Sequence, residues 1–315
     1  MTSQSSTADA PAPGRDRSHR GTLFVETAEV LETWRFPGEQ HIVRIHAPQC
    51  ARHARAGSFA HVTCDDAIPM RRPLSIMRAD PAAGWIEFLY KVVGEGLAHL
   101  SKRRPGDRLS VLGPIGRPFS AHPDRPRALL IGGGVGIPPM IFLAEELSHD
   151  PARDWEPLVL MGSEIPFPFE PARAGSAIPG IVPEVCSVMP LLESWGVRSR
   201  LASAAGFDGC YRGFVTDLAA EWLGSLERDR LAEVQLFACG PGPMLAAAAR
   251  VARRFDVPCQ VSLEEYMACA VGGCAGCAVR VETPDGPAMK RVCVDGPVFD
   301  ANAVFPPDAA NRSRT

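Results

Sequence analysis

The sequence predicts a multidomain chain: a small antiparallel β-barrel, then a doubly wound α/β domain, then a short cysteine-rich module. Three observations predict it. Short alternating apolar segments broken by Gly and Pro fill the first third, a buried-strand pattern runs straight into a glycine turn and an apolar helix in the middle, and four cysteines gather near the C-terminus.

Length and composition set the bounds. At 315 residues and 46% hydrophobic, the chain can bury two or three ordinary cores. A net charge of -3 with both signs interspersed leaves no basic footprint for nucleic acid and no polybasic patch for a membrane surface. No apolar run approaches the roughly 18 residues of a membrane span. Ten cysteines in so long a chain, four of them in one loop, fit a reducing compartment, so the expected location is cytoplasmic. Residues 1–20, rich in Ser, Ala, Pro and Arg without an apolar stretch, read as a disordered extension, and 301–315 as a flexible tail.

The barrel is expected over 21–122. Phe24-Val25-Glu26-Thr27, Ile42-Val43-Arg44-Ile45, Phe59-Ala60-His61-Val62 and Trp85 to Tyr90 have the period and spacing of its strands. Three segments fit a plain barrel poorly: Arg71-Arg72-Pro73-Leu74-Ser75-Ile76, Tyr90-Lys91-Val92-Val93-Gly94-Glu95-Gly96-Leu97, and Gly113-Pro114-Ile115-Gly116-Arg117-Pro118-Phe119. Singly, each is ordinary turn or surface chemistry.

The α/β domain is expected over 123–258. Arg127 to Ile131 is a buried parallel strand that leads into Gly132-Gly133-Gly134-Val135-Gly136-Ile137-Pro138-Pro139 and a helix from Met140 to Leu147. Strand, glycine turn and helix together aim unshielded amides at a nucleotide's phosphates, which nominates Gly132, Gly133, Gly134 and Gly136. Strands at Pro157–Met161 and Val234–Ala238 alternate with helices at Thr216–Leu223 and Met244–Phe255, as in a doubly wound sheet whose ligand lies at the strand C-termini. Phe237-Ala238-Cys239-Gly240-Pro241-Gly242-Pro243-Met244 falls at such an end.

In the last module, 259–300, Cys269, Cys274, Cys277 and Cys293 run C-x4-C-x2-C and then a fourth cysteine after fifteen residues. That is the spacing of a plant-type [2Fe-2S] ligand set, whereas tetrahedral zinc favours two separated C-x2-C knuckles. Zinc and space-filling thiols are the other readings. The small residues from Ala268 to Gly276 suit a loop that curls until its amides point at sulfur. Val279-Arg280-Val281 is an expected strand, and a hairpin at Pro284-Asp285-Gly286 brings Cys293 back.

In order, Arg-Pro-x-Ser, G-x-G and G-P-x-G-x-x-F resemble the flavin-binding barrel of the ferredoxin-NADP reductase superfamily. The resemblance implies FAD held by Arg72, Pro73, Leu74, Ser75, Lys91, Val92, Gly94, Gly96, Leu97, Gly113 and Gly116. Arg72 would offer its planar fork to the pyrophosphate and Ser75 a hydroxyl to the ring. The family usually has Thr or Ser where Leu97 stands. G-G-G-x-G-x-x-P and C-G-P-x-P-M resemble the nicotinamide domain of the same superfamily, which implies that Cys239, Gly240 and Pro241 border the reactive ring, with Cys239 as the catalytic candidate. Glu164 after the second strand leans towards NAD(H), and Arg198, Arg200 and Arg212 leave NADP(H) open.

Ser262 to Cys269 and Arg291 to Phe299 resemble the cluster domain of electron-transfer subunits of type B dihydroorotate dehydrogenases. From 22 to 299 the resemblance covers three consecutive domains. It implies a relay between NAD+ and the FMN of a catalytic subunit that oxidises dihydroorotate in pyrimidine biosynthesis, within a heterotetramer. Sulfide-dehydrogenase-like, hydrogenase-associated and ferredoxin:NAD(P) reductase subunits share this architecture, and a zinc-stabilised nucleotide-binding protein is the reading of another class.

Overall fold

The computed structural model describes residues 22–307. The expected extension over 1–20 and the end of the tail, 308–315, lie outside the described residues. Strands β1 (Phe24–Phe36), β2 (Gln40–His46), β3 (Phe59–Thr63), β4 (Arg72–Asp80), β5 (Trp85–Lys91) and β6 (Arg108–Ile115) close an antiparallel barrel in the order β1-β2-β5-β4-β3-β6. Helix α1 (Pro48–His53) joins β2 to β3, and α2 (Gly94–Leu100) follows β5. The alternation seen in sequence is real: Val43, Ile45, Ile76, Ile86 and Phe88 all point into the core.

A parallel sheet follows. It is built from β7 (Arg127–Gly133), a 3-10 turn (Gly134–Gly136), α3 (Ile137–Ser148), β8 (Leu158–Gly162), two short strands β9 (Ala172–Arg173) and β10 (Ser187–Val188), α4 (Pro190–Ser194), β11 (Arg198–Ala202), α5 (Val215–Gly224), α6 (Arg228–Ala232), β12 (Val234–Cys239), α7 (Gly242–Arg254) and β13 (Cys259–Ser262). The last stretch adds β14 (Ala278–Thr283), β15 (Gly286–Arg291), α8 (Val292–Asp295), β16 (Val298–Asp300) and α9 (Ala301–Val304). Sheet order is β11-β8-β7-β12-β13-β16, with only β16 antiparallel. Successive residues of β7 serve opposite cores: Leu130 faces α3 and the barrel, while Leu129 and Ile131 face α5 and α7.

Four details differ from the sequence expectation. The G-x-G segment opens α2 instead of forming an isolated turn. β11 was not anticipated, because Arg198, Ser199 and Arg200 mask its pattern. β13 and β16 lie within the expected 259–300 module yet hydrogen-bond into the nucleotide sheet, so only the intervening segment stands outside it. Residue 301 begins a helix, not a loose tail: Asp300 caps α9 through the amides of Asn302 and Ala303, and Arg253 donates to Phe305 O at 2.7 Å.

Candidate functional site

β4 carries the first cluster of candidates. It pairs with β3 so that Arg72 faces Val62, Pro73 faces His61, Leu74 faces Ala60 and Ser75 faces Phe59. The Arg72 guanidinium lies over Gly96: a Cβ there would stand 2.8 Å from Nε and 2.9 Å from Cζ. Gly94 has φ +71 and open space around it, a conformation glycine adopts without strain. Arg72 and Gly96 are thus in contact, with Gly94 two residues earlier at the start of α2, Lys91 exposed at the end of β5 and Val92 held by its amide to Glu39 O. Leu97 packs on the barrel core, so its side chain serves the protein interior.

Gly113 and Gly116 stand apart from that group. A Cβ on Gly113 would press on Ala60 and on the Cys50 sulfur, and one on Gly116, where φ is +94, would collide with Pro297. Their room is taken by the chain itself: Arg117 N donates to Gly296 O at 2.6 Å, which ties the barrel to the cysteine module.

The second cluster lies where β7 and β12 end side by side, with Gly132 opposite Cys239. Gly136 rests against the Cys239 carbonyl and Gly240 so closely that no Cβ fits, and Gly133 is closed over by Met244 and Pro241. Gly134, at φ +55, has open space. The glycine turn and the Cys239-Gly240-Pro241 corner therefore form one surface at the C-terminal edge of the sheet. The Cys239 thiol is fully buried, and burial first, then the charge of Glu264, pushes its pKa up, so it is a neutral wall of the site.

Glu264 escaped the sequence reading. It follows β13, whose Ser262 pairs with Cys239, and dense surrounding protein raises its carboxyl pKa although one side stays open to solvent. Its place two residues beyond a strand end was the available signal. Also missed was a cavity of 620 Å³ beyond the ends of β8 and β11, lined by Pro166, Phe167, Arg173, Phe207 and Asp208. Of the basic residues that could meet a 2'-phosphate, Arg200 is buried, its Nη1 and Nη2 donating to Ser199 O and Ser176 O while Nε has no partner among the described residues, and Arg198 sits at the opposite, N-terminal end of β11 near Glu156. Glu164 is exposed just after β8, and Arg212 is exposed.

The cysteine loop is the third cluster. Cys277 and Cys293 are each 3% exposed with sulfurs 3.4 Å apart, Cys274 is exposed and Cys269 is half-buried. Cys274 N donates to the Cys269 sulfur and Gly276 N to the Cys274 sulfur, each at 3.4 Å. Left-handed backbone at Ala270 (φ 55), Gly272 (φ 82) and Ala275 (φ 55) turns those amides inward, and Arg291 Nη1 holds Gly272 O at 3.0 Å. Amides of Cys274 and Val271 lower the Cys269 thiol to about 6. The thiols fall two and two, with amides aimed at sulfur, and this donor set fits a two-iron cluster.

Comparison with known proteins decides the family. Residues 264–305 match the model described as the iron-sulfur cluster binding domain of dihydroorotate dehydrogenase B. The chain is 31% identical over 275 residues to the dihydroorotate dehydrogenase B (NAD(+)) electron transfer subunit of Desulforamulus reducens, covering 86% of this chain and 95% of that protein. It belongs to this family of electron transfer subunits. The Shouchella clausii member is 31% identical over 294 residues, covering 92% and 99%. Among solved structures, an NADH-dependent reduced ferredoxin-NADP oxidoreductase superposes with TM-score 0.70 at 25% identity, covering 89% of this chain and 90% of that one. A flavin and iron-sulfur oxidoreductase using FAD, a [2Fe-2S] cluster and NAD(H) follows from this membership, and zinc gives way to the cluster. An electron transfer subunit implies a catalytic partner. No helix among the described residues is long and apolar enough to cross a membrane.

Proposed function

We propose that this chain passes electrons between the FMN of a dihydroorotate-oxidising catalytic subunit and NAD+, within a cytoplasmic heterotetramer. One observation carries the reading: the barrel strand that presents Arg72 and Ser75 is packed on one side by α3, which follows the glycine turn, and the barrel packs on the cysteine loop through Ile115. Three binding surfaces therefore share one rigid support.

When bound, the cluster supplies single electrons, the nicotinamide a two-electron hydride, and the flavin converts between them. Arg72 and the amides of Gly94 to Gly96 bind the flavin pyrophosphate, and Ser75 orients the ring. Gly132, Gly133, Gly134 and Gly136 let the dinucleotide approach the backbone, and the Cys239-Gly240-Pro241 corner seats its nicotinamide. The aromatic cavity beyond β8 and β11 takes the adenosine end, and Glu164, exposed just after β8 and outside the cavity lining, favours an unphosphorylated ribose. Cys269, Cys274, Cys277 and Cys293 hold the cluster, and the exposed side at Cys274 faces the partner.

Purified protein is expected to absorb as flavin plus iron-sulfur and to bleach with NADH. Cys274→Ser should leave flavin reduction by NADH intact while stopping transfer to the partner. Full transfer in that variant, or a colourless zinc protein, sinks the reading. Co-purification from the native host names the partner, and a hydrogenase or sulfide-oxidising subunit there would overturn the pathway and leave the relay.

A further inference from the structure

The four cysteines differ in what surrounds them. Cys277 and Cys293 belong to a small apolar core with Met267, Ala270 and Val292, and the barrel contributes Phe59 and Ile115 to that core. Cys274 is exposed and Cys269 half-buried. The cluster-binding loop therefore has an inner pair of sulfurs packed on the barrel and an outer pair turned away from it.

Phe59 holds a particular place in this core. It is paired across the sheet with Ser75 on one side, in β4, and with Ile115 on the other, in β6. Cross-strand partners present their side chains on the same face. The hydroxyl expected at the flavin ring and the aromatic ring packed in the inner-cysteine core thus emerge side by side. The Phe59 residue is 5% exposed, and a Cβ built on Gly116 would meet its Cε1 at 3.4 Å, so it has little room to shift.

We propose that Phe59 is the positioning residue that sets the separation between the flavin strand and the inner pair, which makes Cys277 and Cys293 the flavin-facing side of the cluster. This rests on the relay proposed above. With the cofactors bound, electrons from the partner would enter at the Cys269/Cys274 side and leave one at a time at the Cys277/Cys293 side, and two of them with one proton would turn NAD+ into NADH. Phe59 donates and accepts nothing. Its ring excludes water and holds a distance.

The test uses the full-length holoprotein, loaded with both cofactors, as wild type, Phe59→Leu and Phe59→Ala. Each is mixed anaerobically with NADH, and flavin bleaching is followed separately from cluster reduction, the latter by visible circular dichroism and electron paramagnetic resonance. Cluster content and hydrogen exchange of the Val292 amide, which donates to Cys277 O at 3.0 Å, are measured alongside. In Phe59→Ala, flavin bleaching is expected to keep its rate while cluster reduction slows severalfold, and Val292 exchanges faster. Phe59→Leu, which keeps bulk in a closed core and the fold with it, falls between. Equal slowing of both steps, or of neither, at unchanged cluster content overturns the proposal and leaves the relay standing. Wild-type protein whose flavin bleaches but whose cluster never reduces overturns the relay, and the role of Phe59 with it.

Discussion

Arg78 of β4 and Glu145 of α3 form a forked ion pair, with Nη2 2.6 Å from Oε1 and Nε 3.1 Å from Oε2. The pair joins the barrel to the nucleotide sheet. Trp85 of β5 and Trp195, next to α4, flank the guanidinium at 5.4 and 5.1 Å, so its charge is held by a carboxylate and two aromatic faces at once. Both side chains are about four-fifths buried, at 20% and 18% exposure, which lifts the pair above an ordinary surface bridge.

The first prediction follows from that seam. Arg78→Ala leaves Glu145 without its partner and is expected to lower unfolding free energy by about 2 kcal/mol. It should also slow NADH-driven flavin reduction, because the two domains lose a fixed bearing on each other. Calorimetry with stopped-flow absorbance reads both, and an unchanged hydride rate would limit the pair to stability.

Gly96 gives the second. A methyl group there meets the guanidinium of Arg72, the far end of a flexible side chain, so the fold tolerates Gly96→Ala while the arginine is displaced. FAD affinity is expected to fall about tenfold, or ~1.4 kcal/mol, with little change in melting temperature. Flavin retained through gel filtration measures it.

Gly136→Ala should behave in the opposite way. Here the added methyl group meets the Cys239 carbonyl and Gly240, which are backbone and cannot step aside. FAD should be retained and NADH lost, so that dithionite still bleaches the flavin and NADH does not. Normal bleaching by NADH would show that this corner is not its seat.

Alkaline pH gives the fourth. The buried Cys64 thiol, behind Arg72, is raised from 9.0 to about 11, by burial first, with Arg72 and Arg103 opposing. A group with a raised folded pKa lends stability that is full below its unfolded value and lost as pH climbs through the folded one. Cys64→Ala should therefore lose less stability than wild type between pH 9 and about 11, by on the order of 2 kcal/mol. Chemical denaturation at those two pH values compares them; parallel losses would remove Cys64 from the account.

Much of the architecture was legible because its period is strict. β1 and β2 largely alternate, β7 and β12 carry apolar runs at Ala128–Ile131 and Leu236–Cys239, and the cysteine spacing belongs to one kind of centre. The misses have physical reasons. β11 is short and polar at its start, so its burial depends on partners far away in sequence. Around Gly113 and Gly116 the backbone is crowded by Cys50, Ala60 and Pro297, neighbours that no local spacing shows. Glu264 and Phe59 acquire meaning only from what lies across a strand pair, at Cys239 and Ser75. Arg72 and Gly96, by contrast, were named from sequence and stand together in space.

The chain leaves the nucleotide sheet at Ser262 and re-enters it at Val298, with every cluster-ligand candidate in between. The iron-sulfur segment is thus an inserted loop with both feet in one sheet, not a bead threaded onto the end. Trimming the protein after Pro258 would strip two strands and leave β12 as a bare, sticky margin. Transplanting the segment as a cassette would require carrying β13 and β16 with it, so the unit of inheritance for the electron port is the sheet edge together with the loop it supports.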